Sequence, residues 1–297
     1  MKKLLFTLLL SVATITSAMA QEWLTSLTLA KKLALSKNKM LLVIWEDSAN
    51  YSYPIILEDS DGTKVVTELF ESDAVKTLVW KYFVPVIINE SMYQRLFDKI
   101  DGKRNMSYIN RFNDDNVKVM DPNGNILDLR TADEFMTQDL TAIIKKYALD
   151  TSFLEAELNS YFENKNYATT FRLANKYLDF AIYAEDFVKE EIIMLSDIYM
   201  LEAEKLLEKS DYTTKEALAQ KHALLKIKSY LVMGRSNKVR RLLKKYDLED
   251  IDEINIPLFA FLNYATYRSL DNIEEALPWK AQVLQSDLNK IKFIVNK

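Results

Sequence analysis

Apolar positions alternate between helical and strand-like spacing in the first half of this chain and keep helical spacing in the second, and the change marks its organisation. Leu29, Leu33 and Ala34 recur at helical spacing with Lys31 and Lys32 turned outward, and Met40 to Trp45 follows as an unbroken apolar run. Such a run between polar segments predicts a strand buried on both faces. Asp73 to Lys81 reads as a capped helix with Val75, Leu78 and Val79 inward, and Tyr82 to Ile88 as a second buried strand. A helix is expected over Ser91 to Ile100. Val117 to Met120 and Asn125 to Leu129 then flank Asp121-Pro122-Asn123-Gly124, a composition that predicts a hairpin turn. A last amphipathic helix is expected from Asp133 to Tyr147. Strands alternating with helices predict a mixed sheet with flanking helices.

From Asp150 onward only helical periodicity is left. Phe153, Leu154, Leu158, Tyr161 and Phe162 form one stripe, and others run through Tyr167 to Tyr183, Phe187 to Leu207, Ala217 to Met233, Val239 to Tyr246 and Leu258 to Leu270. Short polar breaks such as Asn164-Lys165-Asn166, Ser210-Asp211 and Gly234 to Asn237 join them, as in stacked helical hairpins. The turn asparagines Asn237 and Asn272 stand 35 positions apart, and Asn166 precedes Asn237 by about two such lengths. That spacing, with Tyr167, Phe171 and Ala174 at aromatic and small packing positions, resembles tetratricopeptide (TPR) helical hairpins; an irregular helical bundle is the other reading.

The ends and the charge add localisation. Lys2 and Lys3, the apolar run Leu4 to Ile15, and Ala18-Met19-Ala20 before Gln21 read as a secretory signal peptide. The apolar run is shorter than the roughly 20 residues of a spanning helix. Three segments follow: a signal peptide over 1–20, a mixed α/β domain over 21–149 and a helical domain over 150–297. The expected location is the periplasm or the exterior, with no transmembrane span after cleavage. With no cysteine in the chain, a lipoprotein anchor is excluded. Loss of Lys2 and Lys3 takes the net charge from −4 to −6, which gives no electrostatic case for nucleic acid or anionic membrane.

The first half resembles the thioredoxin-like superfamily, in the branch where "KNKMLLVIW" runs into the active-site loop, "SDAVKTLVWKYFVPVIIN" supplies the next helix and strand, and "VKVMDPNGNI" is the hairpin. In that family a strand ending in an aromatic residue leads to W-C-x-x-C at the start of a helix. The resemblance therefore implies a central strand Met40 to Trp45 and a helix just beyond Ser52, and it puts Ala49 and Ser52 where the two cysteines would stand. The family's cis-proline before the hairpin strand has no counterpart in Asp114-Asp115-Asn116. The fold class expected is thus an α/β thioredoxin-like sandwich plus an all-α, TPR-like second domain.

The side-chain inventory narrows the chemistry. Thiol–disulfide exchange needs two sulfurs, and the chain has none. One histidine, His222, excludes zinc sites of the usual Cys/His type and any Ser-His-Asp arrangement; His222 reads as an ordinary helical side chain. Asp59-Ser60-Asp61-Gly62 and Asp121 to Asn125 lack the glycine and glutamate spacing of an EF-hand, and no glycine-rich phosphate loop is present. No metal and no cofactor are therefore expected. The candidate binding residues are Trp45, Ala49, Asn50, Tyr51, Ser52, Tyr53 and Asp115, because aromatic residues with polar tips anchor interfaces. The competing reading packs Trp45 and Tyr53 beneath the first helix. A protein or peptide partner in the cell envelope is the expected ligand. The alternative is an enzyme in which Asp47 and Asp115 share a proton across the cleft. In the helical half, Lys238, Arg240, Arg241, Lys244 and Lys245 beside Arg235 suit either an acidic partner or a solvated face.

Overall fold

The computed structural model describes residues 22–127 and 137–295. The signal-peptide reading, the end of the second hairpin strand and residues 133–136 of the helix expected from Asp133 lie outside the described residues; the rest of that helix begins only at Leu140, because Gln138–Asp139 pair as a strand. Two compact units emerge: the described residues of Met1–Met120 with Leu129–Ala148, and those of Asp121–Asp128 with Leu149–Lys297. The boundary differs from the one read in the sequence, since the turn at Asp121 belongs with the helical unit.

The first unit begins with α1 (Leu27–Lys37), capped by Ser26 and ended by Asn38 in the left-handed region. Its buried face is Ala30, Ala34 and Leu35, whereas Leu29 is exposed; small residues on the inner face set the helix close to its neighbours. β1 (Met40–Trp45) is buried at every position, as its apolar run predicts. It is the middle strand of a three-stranded sheet, parallel to β4 (Phe83–Ile88) and antiparallel to β5 (Lys118–Met120). Leu24 bridges to the far side of β4 through bonds to Pro85 O and from Ile87 N. Pro85 therefore turns its missing donor away from β1, where a proline is tolerated.

After β1 comes a single helical turn, α2 (Glu46–Ala49), and then β2 (Pro54–Glu58) paired antiparallel with β3 (Lys64–Glu68). The helix expected beyond Ser52 is thus absent, and a β-hairpin stands in its place. The reason is local. Pro54 disfavours helix for Tyr53, Ile55, Ile56 and Leu57 are a β-favouring apolar run, and Asp59 closes the turn by accepting from the N–H groups of Asp61 and Thr63. Gly62, at φ 81°, takes a conformation that favours glycine. β6 (Gln138–Asp139) adds to β2 and leads into α6 (Leu140–Tyr147), with Asp139 as its cap. Between them run α3 (Asp73–Tyr82), with Val75 and Val79 inward, then a short 3-10 turn, α4 (Tyr93–Phe97) and α5 (Met106–Asn113). α4 is shorter than the helix expected over Ser91 to Ile100, and α5 has no counterpart among the expected elements. No cis peptide bond occurs among the described residues.

In the second unit the helices follow the periodic stripes closely: α7 (Glu155–Glu163), α8 (Tyr167–Tyr183), α9 (Asp186–Glu208), α10 (Lys215–Val232), α11 (Ser236–Leu243), α12 (Ile256–Ser269), α13 (Ile273–Ala276) and α14 (Gln285–Val295). Asn166 starts α8 with a capping box and Asn272 caps α13. Asn237, expected as their equivalent, lies inside the first turn of α11. The lengths of α8 to α12, at 17, 23, 18, 8 and 14 residues, do not repeat. The unit is a helical assembly of unequal hairpins.

Two buried polar networks tie it together. Asp121 is fully buried and accepts from the Tyr177 hydroxyl at 3.2 Å, from the Tyr199 hydroxyl, and from the N–H groups of Asn123 and Asn125. Lys228 is buried against Asp179 at 2.5 Å and Asn175 at 3.0 Å, and Lys290 of α14 reaches the second Asp179 oxygen at 2.9 Å. Burial pushes the Asp179 carboxyl up, but the two ammonium groups outweigh it and hold it below its ordinary value.

Candidate functional site

Beyond the carboxyl end of β1 the first unit holds an open cleft of about 530 Å³, lined by Asp47, Ser48, Tyr51, Ser52, Tyr53, Pro54, Asp115, Asn116 and Thr137. Ligands of α/β folds commonly sit outside strand carboxyl ends. Three devices shape this one, each of them traceable to particular residues.

The first device is the anchor of the loop. Trp45 is only 5% exposed; its Nε1 donates to Phe112 O at 3.0 Å and its ring meets Phe112 edge-on. It fixes where the chain leaves the sheet but does not line the cleft. Its packing partners are Tyr93 of α4 and Phe112 of α5. The second device is Glu68 of β3, whose carboxylate accepts from Ser52 Oγ and from Tyr53 N, both at 2.8 Å. The hairpin that replaced the expected helix is therefore what holds the loop.

The third device is Lys118. It is 2% exposed, and its Nζ donates to Asp114 O at 2.5 Å, Asp114 Oδ1 at 3.1 Å and Asn116 O at 2.8 Å. The loop opposite Tyr51 is thus wrapped around one buried ammonium group. Burial lowers the Lys118 pKa, opposed by the Asp114 charge. Tyr53 joins the two sides: its hydroxyl accepts from Val117 N at 2.9 Å and donates to Gln138 Oε1 at 3.1 Å. Burial first, and then the charges of Asp114 and Asp115, push this phenol up to about 12, against the opposing pull of the Val117 bond. Tyr53 stays a neutral donor.

Of the residues singled out in the sequence, the cleft brings together Tyr51, Ser52, Tyr53 and Asp115. Trp45 is in the core. Ala49, half-buried, and Asn50, exposed, close the single turn of α2 and do not line the cleft. Asp47 and Asp115 both line it, and both are exposed. Tyr51 is 76% exposed, an aromatic ring left in water at the rim. Ser48 Oγ is buried with no hydrogen-bond partner among the described residues. Sequence reasoning passed over Ser48, Glu68, Lys118 and Thr137. An apolar strand containing one lysine, Lys118 beside Val117 and Val119, was the available signal for a buried charge.

Among the described residues no cluster of three or more His, Asp or Glu side chains could hold a metal ion, and no helix is long and apolar enough to cross a membrane. Comparison with protein-family models, with curated proteins and with solved structures gave no match. The cleft's own chemistry is hydroxyls, two solvated carboxylates, an amide and an exposed ring, a surface suited to hydrogen bonding and stacking.

Proposed function

We propose that this chain is an exported, non-enzymatic binding protein, an adaptor or chaperone-like module of the cell envelope, whose cleft in the first unit engages a polypeptide. The frame we infer is a redox-inactive, thioredoxin-like domain followed by a TPR-like helical domain. In the first domain a hairpin has taken the place of the helix that the family carries after its active-site loop. The observation that carries the proposal is the cleft itself. Its two loops are braced by Glu68, Tyr53 and Lys118 through six hydrogen bonds, while Tyr51 stands bare on the rim. A rigid scaffold around an exposed aromatic is the arrangement of an interface anchor. The absence of cysteine removes disulfide chemistry from the same place.

A second reading, acid–base catalysis by Asp47 and Asp115, is favoured by one observation: both line the cleft. A shared proton wants carboxylates in a water-poor setting, and the exposure of both supports it less.

The test is a photo-crosslinking side chain at position 51 of the full chain in its native cell, with position 99, an exposed lysine site elsewhere on the unit, as control. The expected result is a discrete adduct from position 51 alone, diminished by Asp115→Asn. No adduct, or the same adducts from both positions, would contradict the reading.

A further inference from the structure

The second unit carries a groove whose charge runs against that of the whole chain. The segment Arg235 to Lys245 holds six basic residues and no acid, in a protein of net charge −4. Between α10 and α11 a cavity of about 380 Å³ is floored by Ile227, Tyr230 and Leu242 and rimmed by Lys226, Lys238 and Lys245, and none of its lining residues is acidic. Lys226 and Lys245 are exposed. Lys238 lies over the Tyr230 ring with Nζ 3.4 Å from its centroid, so the ring fixes that ammonium at the rim. Among the described residues no ion pair engages these three lysines; Asp197 of α9 feels the charge of Lys226.

A solvated helix face needs charge but no hollow beneath it. This groove has a recessed apolar floor and a cationic rim together. We infer that it is a docking site for an acidic polypeptide segment bearing aliphatic or aromatic anchors, the side chains entering between α10 and α11 and the carboxylates meeting the lysines. Charge complementarity selects that occupant, and the recess favours a segment over a membrane, because a bilayer is met by protruding apolar side chains. The site is separate from the cleft of the first unit and does not depend on it.

The probe is a fluorescein-labelled twelve-residue peptide repeating aspartate, leucine, glutamate and phenylalanine, titrated against the full chain from Gln21 and followed by anisotropy. Two companion peptides carry lysine for every acid or serine for every apolar residue, and phosphatidylglycerol vesicles form a third arm. Saturable binding is expected for the first peptide only, weakened at least about tenfold by Lys226→Glu with Lys245→Glu and unchanged by Tyr51→Ala. Both lysines are exposed, so the double variant is expected to keep the wild-type circular dichroism spectrum, which is recorded alongside the titration. The inference is overturned by an absence of binding, by equal binding of the serine peptide, by preference for vesicles, or by indifference to the lysine substitutions. Sensitivity to Tyr51→Ala instead would assign the peptide to the cleft and also overturn it. A failure here leaves the position 51 crosslink unaffected, so the two readings fall separately.

Discussion

His222 shows how one side chain carries a pH dependence without a catalytic role. It is 4% exposed, tilted against Phe171 with centroids 4.7 Å apart and stacked on Tyr167, whose hydroxyl is 3.4 Å from Nε2. Burial lowers its pKa from 6.5 to about 4. Glu204, 3.5 Å from Nδ1, would pull the other way, but its side chain is 48% exposed and screened by water. Between these values the unfolded chain binds the proton and the folded one does not, so stability rises with pH through that window. We expect unfolding in urea to show about 2–3 kcal/mol of stability lost between pH 6.5 and pH 4 that His222→Gln does not lose. Parallel pH profiles for the two proteins would show that the imidazole does not titrate differently on folding. The residue was legible as an ordinary helical side chain in a sequence with one histidine; that it is buried neutral was not, because its neighbours Tyr167 and Phe171 come from another helix.

At the scale of elements, the loop Asp114 to Val117 and the hairpin β2–β3 are joined through a single phenol. Removing the Tyr53 hydroxyl leaves Val117 N and Gln138 Oε1 to find other partners, and both residues are under 5% exposed. Tyr53→Phe should cost about 1–3 kcal/mol and speed amide exchange at residues 114 to 117 while α8 and α9 keep their protection. Unchanged exchange in that loop would mean that Lys118 alone suffices to hold it. The hairpin is also where sequence reading failed. Ile55 to Leu57 is a β-favouring run and Asp59 to Gly62 a turn, but the expectation of a helix beyond Ser52 hid them. Met40 to Trp45, Asp73 to Tyr82 and the stripes of the second unit were readable because burial alone fixes their period. The register of a repeat was not: Asn166, Asn237 and Asn272 share a residue type and a spacing, and only the first and last are caps.

For the molecule as a whole, the site was half legible. The loop following a buried strand marked Tyr51, Ser52 and Tyr53, and the loop before the hairpin strand marked Asp115, whereas Trp45 reads in the sequence as either a surface anchor or a packed residue and proves to be a core one. Local sequence could not show that Glu68, Lys118 and Thr137 shape the same cleft, since they arrive there through sheet pairing across tens of residues. The central claim is that this cleft binds a polypeptide and leaves it chemically unchanged. The most direct measurement is the dissociation constant of the segment captured at position 51, for the wild type and for Tyr51→Ala, with the mass of that segment read before and after incubation. The account predicts at least about tenfold weaker binding in the variant and an identical mass. Equal affinity, or a mass change in the wild type that Asp47→Asn with Asp115→Asn abolishes, would contradict it.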